Sequence, residues 1–136
     1  MKLPRGLRNN NPGNIRISDA TDWIGEVEPT AKSDNKFEEF VTMAHGYRAL
    51  IKLLQNYRKK YKCQTIADFI HRWAPRTEND TMAYILTVCR ELEVPSNYVP
   101  DIRDKATMCA FASAISLVEN GVKADMSEVE AGWEML

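Results

Sequence analysis

Apolar positions along the chain change their spacing near residue 44. Over residues 44–62, Tyr47, Leu50, Ile51, Leu54, Tyr57 and Tyr61 recur every three or four places. That repeat sets one apolar face on a helix. Thr65, a good N-cap, precedes a shorter helix through Trp73 that carries Ile66, Phe69, Ile70 and Trp73, and Pro75 interrupts it. A further helix starts at Asp80 or Thr81, with Met82, Ile85, Leu86, Cys89 and Leu92 as its stripe. Pro95, Ser96, Asn97 and Pro100 make residues 94–100 a loop. Residues 104–120 give the clearest helix, with Met108, Phe111, Ala112, Ile115 and Val118 along one side and Asn120-Gly121 as its stop. Ser127, three residues ahead of Glu130, has the spacing of a capping box for a last helix to the C-terminus.

Residues 1–36 lack such a period and are rich in Asn, Gly, Pro and Asp, the residues of turns. Short strands are expected around residues 14–17 and 22–25, and over 36–42, where Phe37, Phe40 and Val41 lie among charges. One β-hairpin or a small three-stranded sheet would fit. With no repeat and no long linker, residues 1–136 read as a single domain, mainly α of α+β type, with a small N-terminal β element.

Composition narrows the function classes. A chain of 136 residues with 44% hydrophobic and 27% charged residues can bury a core without disulfides or metal. A net charge of −1 argues against a dedicated nucleic-acid binder or an anionic-membrane binder. No run approaches the roughly 18 apolar residues of a membrane span, so membrane insertion is not expected. Met1-Lys2-Leu3-Pro4-Arg5-Gly6 has no apolar core and does not read as a secretory signal. A holin, a virion or host lysis would then deliver the protein to any substrate outside the cytoplasm. Cys63, Cys89 and Cys109 are odd in number and scattered, and read as buried thiols in a reducing compartment. His45 and His71 are isolated, so neither a metal site nor a cofactor is expected.

Glu119 stands out chemically. It lies four residues beyond Ile115 and eight beyond Phe111, so it continues the apolar stripe into the last helical turn. Burial there and the negative end of the helix dipole both disfavour a carboxylate. A glutamate kept protonated in this way is what a glycosidase uses as general acid. A solvated glutamate at a frayed helix end has the same spacing. Asp34, Glu38 and Glu39, flanking the expected strand at 36–42, are candidates for a second carboxylate, or for solvated strand residues.

The run from Arg8 through Asn9, Asn10, Asn11, Pro12, Gly13 and Asn14 to Arg16 packs many amide donors and acceptors into a tightly turned backbone. It can read sugar hydroxyls and N-acetyl groups, or it can tie down a loop; composition leaves both open. Trp23, in a polar loop, is the better exposed platform for a sugar face, whereas Trp73 fits the stripe of its helix and is expected in the core.

The ordered set of motifs resembles a family. Arg5-Gly6-Leu7-Arg8-Asn9-Asn10-Asn11-Pro12-Gly13-Asn14-Ile15-Arg16 is similar to the start of small phage and prophage virion-associated, lysozyme-like peptidoglycan hydrolases. The similarity continues through Trp23-Ile24-Gly25, Phe37 to Phe40, Gly46-Tyr47-Arg48-Ala49-Leu50, Arg72-Trp73-Ala74-Pro75, Glu78-Asn79-Asp80-Thr81, Tyr84-Ile85 and Glu119-Asn120-Gly121. A weaker resemblance links residues 10–16, Trp23 and Gly25 to bacterial cell-wall glucosaminidases, in which a helix ending in the catalytic glutamate precedes the Asn-rich segment.

Here no such helix precedes it and the helix ending in Glu119 lies near the C-terminus, so the resemblance implies a circularly permuted lysozyme-like domain with Glu119 facing the Asn-rich segment across a cleft. It further implies substrate contacts from Arg8, Asn9, Asn10, Asn11, Asn14, Arg16, Trp23 and Asn120. The partners would be peptidoglycan glycan strands and other virion proteins. The implied activity is glycosidic cleavage of peptidoglycan, by hydrolysis or by anhydro-forming transglycosylation. A non-catalytic glycan-binding or virion structural module on the same fold is the alternative.

Overall fold

A computed structural model describes residues 3–18 and 21–136. Met1 and Lys2, the start of the segment judged not to be a secretory signal, lie outside the described residues. The chain is mainly helical. Its helices are α1 (Arg5–Arg8), α2 (Met43–Tyr61), α3 (Ile66–Trp73), α4 (Thr81–Leu92), α5 (Lys105–Asn120) and α6 (Met126–Glu134), with a 3₁₀ turn at Pro29–Ala31.

Local chemistry accounts for most boundaries. The Thr42 hydroxyl accepts from the His45 amide to start α2, and Lys62 turns left-handed at φ 61° to end it. Thr65 and Asp68 form a reciprocal capping box on α3. Asp80 caps α4, Asp104 caps α5, and Gly121 closes α5 at φ 74°, where a side chain would be strained. The final helix departs from expectation. Asp125 rather than Ser127 is its N-cap, and Ser127 instead donates its hydroxyl to Asp125.

Helix α5 is buried over most of its circumference, through Met108, Cys109, Phe111, Ala112, Ala114, Ile115 and Ser116. Tyr47, Leu50, Ile51 and Leu54 of α2 and Ile66, Phe69 and Ile70 of α3 join the same core, as does Val129 of α6. Fully burying each such aliphatic or aromatic side chain contributes about 1.5–3 kcal/mol. Phe69 meets Phe111 edge-on at 5.5 Å. Gly132 lets α6 lie directly on α2, because a Cβ there would sit 2.8 Å from the Ala44 carbonyl. Cys63, Cys89 and Cys109 are buried free thiols, as the sequence suggested.

The stripe expected on α4 is rotated. Thr81, Tyr84, Ile85, Val88 and Cys89 point inward, while Met82 and Leu86 are exposed. Both series have helical spacing, and packing against α5 selects the one that carries Tyr84.

The expected β-hairpin or small sheet is not formed among the described residues. Residues 37–40 pair on both sides, but only through isolated antiparallel bridges, Arg16 with Phe37 and Glu26 with Phe40. The flanks explain the short pairing. Asn10 and Asn14 are left-handed at φ 52° and 50°, so the chain turns away after one or two residues. The Trp23–Glu26 stretch is a turn, with the Glu26 amide donating to the Trp23 carbonyl. Residues 5–8, expected in a loop, form the single turn of α1.

A small second core of Ile15, Phe40 and Ala49 sits under this segment. Trp23, Leu53 and Trp73 pack against it. Trp73 also touches the main core, so it joins the N-terminal loops to the helices.

Candidate active-site cleft

The Asn-rich segment is held in place from several sides. Asn11 is fully buried and its amide is saturated, donating to the Ile15 and Glu38 carbonyls at 2.9 Å each and accepting from the Ile15 amide at 2.9 Å. Asn9 donates to Asp34 at 3.1 Å, and Asn10 donates to the Phe40 carbonyl at 3.1 Å. Asn120, from the end of α5, donates to the Pro12 carbonyl at 2.9 Å. These four side chains tie the loop down. The backbone comes close as well: Gly46 on α2 leaves room for the Asn10 carbonyl and Pro12, both of which a Cβ would strike.

Asn14 does something different. Its side chain reaches 105 residues along the sequence and donates to Glu119 Oε1 at 2.8 Å. The other oxygen of Glu119 accepts from the Tyr84 hydroxyl at 2.8 Å. Burial first, and then the Glu119 carboxylate beside it, push the Tyr84 phenol far above its usual range. Tyr84 therefore stays protonated and acts as a donor. Glu119 is half-buried at the last turn of α5, where continuation of the apolar stripe places it.

Around Glu119 opens a cleft of about 350 Å³, within the range of small-molecule sites. It is lined by Gly13 to Arg16 of the Asn-rich segment, by Trp73, Ala74, Glu78 and Asn79, and by Phe37, Leu53 and Tyr57. Arg16 lies over the Phe37 ring at 5.3 Å and reaches Glu78 at 3.6 Å. Trp73 and Tyr57 are 6.0 Å apart, ring to ring. A second depression of about 320 Å³ shares Glu119 and Asn79 with the cleft and is lined further by Asp80, Ala83, Tyr84, Thr87 and Val118. Glu119 thus borders two openings.

Of the residues the sequence singled out, Asn14, Arg16 and Glu119 line the cleft. Arg8 is exposed on α1 and is not part of the lining. Trp73 packs against both cores, as expected, and also lines the cleft, whereas Trp23 packs on the second core and is not part of the lining.

The candidate second carboxylates lie elsewhere. Asp34 accepts from the backbone amides of Lys36 and Phe37, from Asn9 and from Arg5, and the Lys36 amide does most to hold its carboxyl below the usual range. Glu39 fastens the backbone amide and hydroxyl of Ser33. Glu38 is buried and bound to Lys32 at 2.6 Å, with Glu26 on the same ammonium at 3.1 Å. Burial pushes the Glu38 carboxyl up despite that partner.

Tyr57, Phe37 and Glu78, which line the cleft, and Tyr84, which lines the second depression, were not singled out as site residues from the sequence. Tyr84 was legible in principle, because the series Thr81, Tyr84, Ile85, Val88 and Cys89 has the same helical spacing as the one chosen. Among the described residues no group of three or more His, Cys, Asp or Glu side chains is placed to hold a metal ion. None of the described helices is long and apolar enough to cross a membrane.

No family model matches the chain. Over 133 residues it is 41% identical to Protein P5 of Pseudoalteromonas phage PM2, an alignment that covers 96% of this chain and 80% of that protein.

Proposed function

We propose, for a chain that belongs to the family of Protein P5 of phage PM2, that it cleaves the glycan strands of peptidoglycan with Glu119 as general acid. One observation carries the reading. A half-buried glutamate at a helix end is held by Asn14 and Tyr84 at a cleft that Trp73 and Tyr57 also line. Aromatic faces suit the apolar faces of sugar rings, and a carboxyl fixed by two donors is positioned before substrate arrives. The fold is read as a lysozyme-like helical domain whose catalytic helix follows the Asn-rich segment instead of preceding it. Contact between Asn14 and Glu119 supports that permuted order. A phage relative supports action from a virion, alongside other virion proteins.

In the proposed reaction the Glu119 carboxyl gives its proton to the oxygen of the scissile glycosidic bond, and the leaving sugar departs as an alcohol. Asp34, Glu38 and Glu39 are engaged outside the cleft. One group then serves both halves of the reaction. The Glu119 carboxylate takes the proton of the sugar's own C6 hydroxyl as that oxygen attacks C1, which closes an anhydro ring and restores the acid. No water is consumed. Glu78, exposed at the rim and paired with Arg16, is the group that would activate a water in a hydrolytic variant of the scheme.

A zymogram on purified peptidoglycan tests the reading. Wild type is expected to clear the gel and Glu119→Gln to lose about 100-fold or more of that activity. Mass spectrometry of the released fragments is expected to find anhydro ends. Equal clearing by both proteins would remove Glu119 from its role. No clearing by either would favour the non-catalytic glycan-binding or virion structural module, a reading that draws on both Glu119 oxygens already being occupied as acceptors.

A further inference from the structure

The cleft does not end at Tyr57. Its ring stands 6.2 Å from that of Tyr61, one helical turn further along α2, and Tyr61 is 44% exposed. Arg72 of α3 lies flat on the Tyr61 ring at 3.2 Å from its centre and 5.5 Å from that of Tyr57. The Lys60 ammonium stands over the Tyr61 ring at 5.3 Å from its centre. Lys59 and Lys62 are exposed in the same last turn of α2 and its cap. The overall charge is −1, so this concentration of cations beside the aromatic end of the cleft is local.

Basic residues at a helix C-terminus often just answer the helix dipole, worth about half a charge per helix end. Two helix ends meet here, α2 and α3, and Lys59, Lys60, Lys62 and Arg72 exceed what two half-charges require. Arg58 is engaged structurally, donating to the Cys63, Gln64 and Pro100 carbonyls. Asp68 on α3 accepts from the Gln64 and Thr65 backbone amides. The surface left over is positive, exposed, and continuous with the cleft through Tyr57.

We infer that this Tyr61–Arg72–Lys60 surface is a second subsite that binds the free carboxylates of the peptide stems carried by the glycan strand. This rests on the reading of the cleft as a glycan site. The N-acetylated sugar backbone offers little charge, whereas the stems branching from it end in carboxylates. A guanidinium held flat by a tyrosine presents its edge donors to such a group. The subsite would distinguish peptide-bearing strands from bare ones.

The test uses the full chain with Glu119→Gln to prevent turnover. Affinity is measured by calorimetry for two glycan fragments of equal length, one peptide-bearing and one stripped of its stems. The peptide-bearing fragment is expected to bind the parent about tenfold more tightly, with the gap narrowing as salt is raised. Arg72→Gln combined with Lys60→Gln should close the gap, while Lys123→Gln, an exposed cation elsewhere, should leave it open. Thermal melts confirm that each variant is folded.

Equal affinity of the parent for both fragments would overturn the subsite and leave the cleft reading standing. Binding of neither fragment would overturn both. If the same variants abolish binding to phosphatidylglycerol vesicles without changing the ratio between fragments, the patch belongs to a membrane surface and the inference fails.

Discussion

Asn14 and Glu119 are 105 residues apart in sequence and share a 2.8 Å hydrogen bond at the wall of the cleft. Asn14 holds a left-handed φ of 50° to make it, a conformation that Asn tolerates better than most residues. Replacing Asn14 with Gly keeps that backbone conformation and deletes the amide. The expected result is a folded protein whose cleavage rate falls about 10- to 100-fold through lost positioning, read in a turbidity assay on cell walls. An unchanged rate would show that Asn14 does not orient Glu119.

Tyr84 supplies the other donor to Glu119 from a nearly fully buried position on α4. Tyr84→Phe removes one oxygen and little volume. Loss of this part-buried hydrogen bond should lower stability by about 0.5–1.5 kcal/mol in urea unfolding, and lower turnover more than substrate affinity. A variant as stable and as fast as wild type would rule out a Tyr84 contribution.

Lys32 is nearly buried between Glu38 and Glu26. Burial alone would lower its pKa, but the hydrogen bonds to Glu38 and Glu26 outweigh that and raise it above 10.5. A folded-state pKa above the unfolded one contributes stability that is fully present below pH 10.5 and is lost as pH rises through the raised value. Lys32→Met should therefore destabilise by about 3 kcal/mol at neutral pH, because Glu38 is left buried without its partner. The gap between variant and wild type should narrow above pH 10.5. Denaturant titrations from pH 7 to 11 measure it, and a gap constant across that range would contradict the assignment.

Gly46 sits where α2 meets the Asn-rich loop, and an added Cβ strikes the Asn10 carbonyl and comes within 2.6 Å of Pro12. Both are backbone or ring atoms with little freedom to move. Gly46→Ala, which raises helix propensity by about 1 kcal/mol, should nonetheless lower the melting temperature and weaken glycan binding together. A rise in melting temperature would show that the loop is not clamped against α2.

The helical part of the fold was legible because it depends on local rules. Thr65, Asp80, Asp104 and Gly121 mark helix boundaries by capping chemistry, and three-and-four spacing marks the faces of α2, α3 and α5. On α4 two stripes had equal spacing, and only the packing partner, α5, chose the one bearing Tyr84. The N-terminal segment was less legible. Its apolar residues set among charges promise a sheet, yet the left-handed turns at Asn10 and Asn14 carry the chain away and pairing stays at single bridges.

The sequence by itself determined that Glu119 would end an apolar stripe, since helix periodicity is a local property of the chain. Only the tertiary structure decided what surrounds it. Asp34, Glu38 and Glu39 were indistinguishable from partners of Glu119 until folding gave each its own donor, because a carboxylate's role depends on what lies within hydrogen-bond reach. The same holds for the two tryptophans. Trp23 and Trp73 differ in place, not in chemistry, and folding put Trp73 in the cleft. Asn14 became the neighbour of Glu119 through the packing of the N-terminal loop on α2 and the end of α5, a contact across 105 residues that no local pattern encodes.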